Sequence, residues 1–104
     1  MGWADEHIKR LKDGETVQFR PRGNSMSGRV EDGELCTVAP FRGSVIPREG
    51  NVVLCKVRGR QCLHLIKATR GKNPVRYQIG NNRGGVNGWV GARSIFGLLI
   101  KVEP

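Results

Sequence analysis

A chain of 104 residues is long enough for one modest hydrophobic core and too short for two, so whatever it does must be built on a single scaffold. Eighteen Lys and Arg against nine Asp and Glu give a formal charge of +9 at pH 7, which favours an acidic partner such as nucleic acid, an anionic membrane surface or an acidic peptide, with simple solubility as the alternative. The cations are scattered from Lys9 to Lys101 without a run of five, and two Trp, one Tyr and three Phe are too few to interleave them, which excludes a basic tail and an aromatic stacking platform. In chain order, Trp3 to Leu11 reads as a short helix within 1–13, with Trp3, His7, Ile8 and Leu11 on one face and Asp13-Gly14 as its stop. From Gly14 onward the pattern changes to strands, at Thr16 to Arg20, Glu34 to Ala39, Asn51 to Val57, Gln61 to Ala68, Val75 to Ile79 and Ser94 to Val102, most bounded by Gly, Pro or Asn. The chain therefore reads as one domain over 1–104, a mainly β fold of compact, curved antiparallel sheets spanning 16–102 behind a short N-terminal helix.

Val52 to Val57 and Cys62 to Ile66 flank Arg58-Gly59-Arg60-Gln61 and read as a β-hairpin. With Gly59-Arg60 as the loop residues, Val57 would pair with Cys62 and Cys55 with His64, and the period of two would put Cys62, His64 and Ile66 on one face. A slip of one residue would reverse that face. The three cysteines Cys36, Cys55 and Cys62 are odd in number without a close pair, which argues against a disulfide framework; together with the lack of a signal peptide they fit a reducing cytoplasm. No uninterrupted apolar run approaches the roughly 20 residues that cross a bilayer, so no membrane span is expected.

The segment Arg22-Gly23-Asn24-Ser25-Met26-Ser27-Gly28 sets one serine on a glycine-bounded bend after an extended segment. Such a bend is either a polar turn or a display site for a nucleophile. A serine hydroxyl needs a positioned base to attack, and the chain offers His7, His64, Lys56 and Lys67. His64, inside an apolar strand, can be held in orientation; His7 lies in an amphipathic helix near the terminus, and either lysine can snorkel outward. Cys55, Cys62 and His64 provide only three ligands and no Cys-x-x-Cys pair, so no metal or other cofactor is expected. Gly80-Asn81-Asn82-Arg83-Gly84-Gly85 lacks the Lys-Ser/Thr of a phosphate-binding loop and reads as a structural loop.

Together these segments resemble the superfamily of type I signal peptidases and LexA-like self-cleaving repressors, whose nucleophile motif reads Gly-x-Ser-Met-x-Pro-x-Ile/Leu-x-x-Gly-Asp. Gly23, Ser25, Met26, Val30 and Gly33 fit it by identity or close similarity, Gly28 stands for the Pro and Glu34 for the Asp. Gly50-Asn51-Val52-Val53 resembles the Gly-Asp-x-Val-Val that opens the next family strand. His64-Leu65-Ile66 occupies the place of the base segment, where bacterial signal peptidases carry Lys and the archaeal and endoplasmic-reticulum type carries His. Gly80-Asn81-Asn82-Arg83 resembles the Gly-Asp-Asn-Arg box, and Ile95-Phe96-Gly97 the closing Ile-x-Gly segment.

The resemblance implies a serine endopeptidase with a Ser25-His64 dyad acting on an extended peptide or protein, and a nucleophile loop of Gly23, Asn24, Met26 and Ser27 whose backbone N–H groups face the oxyanion. Histidine-type relatives support the base with acids in the downstream box. This chain carries Asn81 at the first such place and Asn87 or Gly88 near the second, residues that can orient an imidazole without adding charge. No Ala-Gly or Cys-Gly pair precedes Ser25, so self-cleavage of the repressor kind is not expected. The alternative is a catalytically silent domain of the same fold that binds protein or nucleic acid through its basic surface.

Overall fold

The computed structural model describes residues 2–41 and 46–104. It is mainly β, as the sequence leads one to expect. Among the described residues one α-helix, α1 (Asp5–Lys12), precedes seven strands, with a 3-10 turn (Ala92–Ser94) before the last: β1 (Val17–Phe19), β2 (Leu35–Ala39), β3 (Val52–Val57), β4 (Arg60–Arg70), β5 (Arg76–Gly80), β6 (Val86–Gly91) and β7 (Ile95–Glu103). They form one sheet in the order β1-β2-β7-β3-β4-β5-β6, and each neighbouring pair is antiparallel. Register shifts at Thr37/Val38, Leu54/Cys55, Ile66/Ala68 and Ile79/Gly80 bend the sheet. That curvature gives it two cores.

α1 places Asp5 and Glu6 in its first turn and Lys9, Arg10 and Lys12 in its last, complementing the helix dipole, while Ile8 and Leu11 are buried. They join Val17, Met26, Val30, Val38, Val52, Leu54 and Leu63 in one cluster, and Val53, Cys55, Val57, Ile66, Tyr77, Ile79, Val90 and Ile95 form the second. Alternate residues of β3 thus serve opposite faces. This is why Val52-Val53-Leu54-Cys55 is an unbroken apolar run: β3 is covered on both sides, so the usual alternation has no polar partner to show. Among the described residues no helix is long and apolar enough to cross a membrane.

Two expectations need correction. The β3–β4 loop is Arg58-Gly59, with φ of 49° and 80°, not Gly59-Arg60. Positive φ at both positions matches the two-residue turn that follows the twist of paired strands. Cys55 consequently faces Cys62, and His64 faces Val53. Because the loop centre moves by one residue, the pairing moves by two, and the face shared by Cys62, His64 and Ile66 is kept. The second correction is β6, an additional strand whose Val86-Asn87-Gly88-Trp89-Val90-Gly91 carries two glycines and no clean alternation; it is a strand because β5 templates it, with Tyr77 opposite Val90 and Ile79 opposite Gly88.

Gly97 of β7 shows how closely α1 sits on the sheet. A Cβ there would lie 2.6 Å from Val38 Cγ1, 3.0 Å from the Ala39 carbonyl oxygen and 3.0 Å from Leu11 Cδ1. Backbone on one side and a buried leucine on the other leave little room to relax. Gly97→Ala is therefore expected to destabilise the protein by about 1–3 kcal/mol through overpacking, read as a lower urea midpoint at unchanged slope.

Candidate functional site

Ser25 is exposed on the turn that follows β1, and Met26 directly after it is buried at 5% exposure in the first core. The sequence alternation works here as an anchor: the methionine plugs the core, so the adjacent hydroxyl must face outward. The Asn24 carbonyl accepts from the Ser27 amide (3.2 Å), and the Met26 carbonyl accepts from Arg29 (2.9 Å) and Val30 (2.8 Å). Acidic side chains fasten the ends of the bend. Asp32 Oδ1 accepts from the Gly23 amide at 2.6 Å and Glu31 Oε2 from the Gly28 amide at 2.7 Å, while φ of 104° and 94° at those glycines suits residues without a Cβ.

His64 reaches this bend from the middle of β4. Its Nε2 is 3.2 Å from Ser25 Oγ, and its Nδ1 is 2.9 Å from Asn87 Oδ1 on β6. An amide oxygen can only accept, so the bond to Asn87 requires the proton on Nδ1 and leaves Nε2 as the acceptor for the serine hydroxyl. The two asparagines named from the sequence separate at this point. Asn87 meets the imidazole, whereas Asn81 Oδ1 accepts from the amides of Arg83 and Gly85 and closes its own turn.

Asn82, which enters the sequence only as a member of the Gly80-Asn81-Asn82-Arg83 box with no role of its own, ties that turn to the serine loop. Its amide donates to the Ser25 carbonyl at 2.9 Å and its Nδ2 to the Ser27 carbonyl at 2.8 Å. Gln61 was missed as well. Its Oε1 accepts from the Ala4 amide at 2.7 Å, its backbone oxygen accepts from Trp3 Nε1 at 3.2 Å, and its Nε2 donates to Asp5. These bonds hold the first residues of the chain against β4 next to the imidazole. No local sequence signal marks either contact, since both link residues more than fifty positions apart.

Trp3 and Phe19 pack edge to face with centroids 5.4 Å apart, and His7 lies over Phe19 at 4.7 Å. With Met26 and Leu63 they wall a cleft of about 500 Å³ that opens on Ser25 and His64. His7 Nδ1 is buried there without a hydrogen-bond partner, and burial followed by the nearby Arg10 lowers its pKa. Lys56 is exposed, and Lys67 Nζ donates to the carbonyls of Asn81 and Gly85, so neither of the lysines considered as bases sits on Ser25. Cys55 Sγ and Cys62 Sγ are 3.7 Å apart on directly paired residues, and all three cysteines are free thiols. Among the described residues no group of three or more His, Cys, Asp or Glu is arranged to hold a metal.

The electrostatics couple this thiol pair to the imidazole. Accepting from Cys55 and lying beside His64 both lower the Cys62 pKa against the effect of burial, while the donating Cys55 is pushed up. The His64 pKa is raised, first by Cys62 and further by Asn87, with burial opposing. No protein-family model matches the chain, and no curated protein matches it either. The line Ser25–His64–Asn87 predicts a specific tautomer: ¹⁵N NMR should show His64 protonated on Nδ1 when neutral, and Asn87→Ala should weaken that bias and lower the His64 pKa. An Nε2-protonated ring in the wild type would contradict the assignment.

Proposed function

We propose that this protein is a serine endopeptidase of the signal-peptidase and LexA-like superfamily, with Ser25 as nucleophile and His64 as general base. The observation that carries the reading is the convergence of three side chains from separate parts of the chain into the order hydroxyl, imidazole, amide, at 3.2 and 2.9 Å. A core histidine would have no reason to sit between an exposed serine and a polar acceptor. The free thiols agree with a cytoplasmic setting.

Amide hydrolysis at such a site runs in two halves. As Ser25 Oγ bonds to the scissile carbonyl carbon, its proton passes to His64 Nε2, and the imidazolium keeps its Nδ1–H on Asn87. Negative charge gathers on the carbonyl oxygen. The Ser27 amide already donates to Asn24, which leaves the Ser25 and Met26 amides, without a backbone acceptor among the described residues, to stabilise that oxyanion. Cleavage of the C–N bond then expels the amine with the proton from Nε2, and water, activated by the same imidazole, hydrolyses the Ser25 ester. Asn87 orients the ring throughout but adds no negative charge, so stabilisation of the imidazolium falls short of what an aspartate supplies.

A second reading keeps the fold and drops turnover: the charge of +9 and the asparagine in place of an acid fit a silent domain that binds protein or nucleic acid. Variants separate the two. Ser25→Ala should abolish hydrolysis of extended peptides, His64→Ala should reduce it roughly 10²–10⁴-fold, and Asn87→Asp should raise it. Equal turnover by wild type, Ser25→Ala and His64→Ala would end the peptidase reading.

The pH profile has a definite sign. Catalysis needs neutral His64, and its pKa is raised, so kcat/KM should climb through a midpoint above the usual imidazole value. Cys62→Ser removes the first cause of that shift and should move the rising limb to lower pH; a limb that stays in place would show that the thiol does not act on the base.

A further inference from the structure

We infer that the substrate is an acidic peptide, whose residues after the scissile bond lie in a groove lined by Lys56, Arg58 and Arg60. The inference rests on the peptidase reading and gives it a direction. Two clefts meet at the base: Trp3, Gln61, Cys62 and His64 line both the largely apolar cleft of about 500 Å³, where Arg20, Arg22 and Glu31 also sit, and a second one of about 1010 Å³. Ser25 and Met26 belong to the first alone; Lys56, Arg58, Arg60, Val86 and Asn87 belong to the second alone. His64 is the shared wall.

That division orients a bound chain. The acyl half of the substrate becomes attached to Ser25 and so occupies the apolar cleft. The amine half takes its proton from His64 Nε2 and must leave past the imidazole, which leads into the second groove. β6 is the outer strand of the sheet there, so its free edge can pair with an extended segment.

The three cations of this groove are exposed and stand together. Elsewhere many cations are engaged: Arg10 with Glu15, Arg20 with the Gly33 carbonyl, Arg29 with the Gly50 carbonyl, Arg76 with the Trp89 carbonyl and Arg70 over the Trp89 ring. Among the described residues the side chains of Lys56, Arg58 and Arg60 take part in no such hydrogen bond or ion pair. Asp5, the acid that lines the groove, has its carboxylate committed to Gln61 and the Gly2 amide. Arg58 Nε lies 3.6 Å from where a Cβ on Gly88 would stand, so its guanidinium reaches across to β6, one residue beyond Asn87. Three exposed cations converge beside the leaving-group side of the base against a single lining acid, Asp5, whose charge acts on Lys56, so the groove keeps a net positive charge. Carboxylates of an incoming peptide are their complement.

The test uses extended peptides with one central Phe, followed by either an Asp/Glu run or the matching Asn/Gln run, together with a third peptide in which the acidic run precedes the Phe. Wild type should cleave the first with kcat/KM roughly tenfold above the other two, and the advantage should shrink as salt rises. Lys56→Gln/Arg58→Asn/Arg60→Gln should erase the preference while still cleaving the neutral peptide; Asn is chosen at 58 because φ of 49° suits it. Equal kcat/KM for acidic and neutral flanks would overturn the groove and leave the peptidase reading intact. If wild type cleaves none of them, the peptidase reading fails, and fluorescence anisotropy of Ser25→Ala with the same labelled peptides judges the groove by itself. Selective binding of the acidic peptide, lost in the triple variant, would sustain it. Absence of selectivity, or displacement by a random single-stranded oligonucleotide that binds the same three cations more tightly than the peptide, would overturn it.

Discussion

The pairing of β3 with β4 decides whether Ser25, His64 and Asn87 can meet at all. His64 opposes Val53, and because side chains alternate along a strand, a slip of one residue would aim the imidazole at the other face, away from Ser25. β3 cannot prevent that slip by itself, since both of its faces are apolar. The constraint comes from its surroundings. Arg58 and Gly59 accept positive φ as a pair, which fixes the loop at two residues, and β4 carries Leu63 into one core and Ile66 into the other.

Much of the architecture was legible because burial writes itself into residue choice. Six of the seven strands follow apolar segments bounded by Gly, Pro or Asn, and the helix announces itself through Ile8 and Leu11 with a stop at Asp13-Gly14. β6 was not legible, because its strand character is conferred by β5 and not by its own residues. The loop centre of the hairpin was ambiguous for a related reason: Arg58-Gly59 and Gly59-Arg60 both contain one glycine, and only the fold shows that an arginine accepts a left-handed conformation there.

At the site, the sequence pattern singled out Ser25 and His64, and they lie within hydrogen-bonding distance. It could not choose between Asn81 and Asn87, since which amide faces the ring depends on a strand that the sequence conceals. It gave no role to Gln61 in the hairpin connection or to Asn82 within the Gly80-Arg83 box, whose side chains bridge distant segments and whose identity carries no hydrophobic or conformational signature. The same logic extends to Cys62. A thiol beside an imidazole looks like ordinary strand packing in sequence, yet its ionisation and that of His64 favour each other.

The turn between β5 and β6 has consequences that reach beyond closing a loop. Asn81 folds the turn on itself, Asn82 grips the carbonyls on either side of Met26, and the chain then runs directly into β6, which bears Asn87. The part that bears the hydroxyl and the part that steadies the imidazole are thereby bolted to one chassis, with β4 threaded between them. Small breathing of the sheet edge would carry both ends of the relay together, preserving their spacing about the ring. Any transplant of this arrangement to another scaffold would have to move residues 22–34 and 80–87 as a single unit.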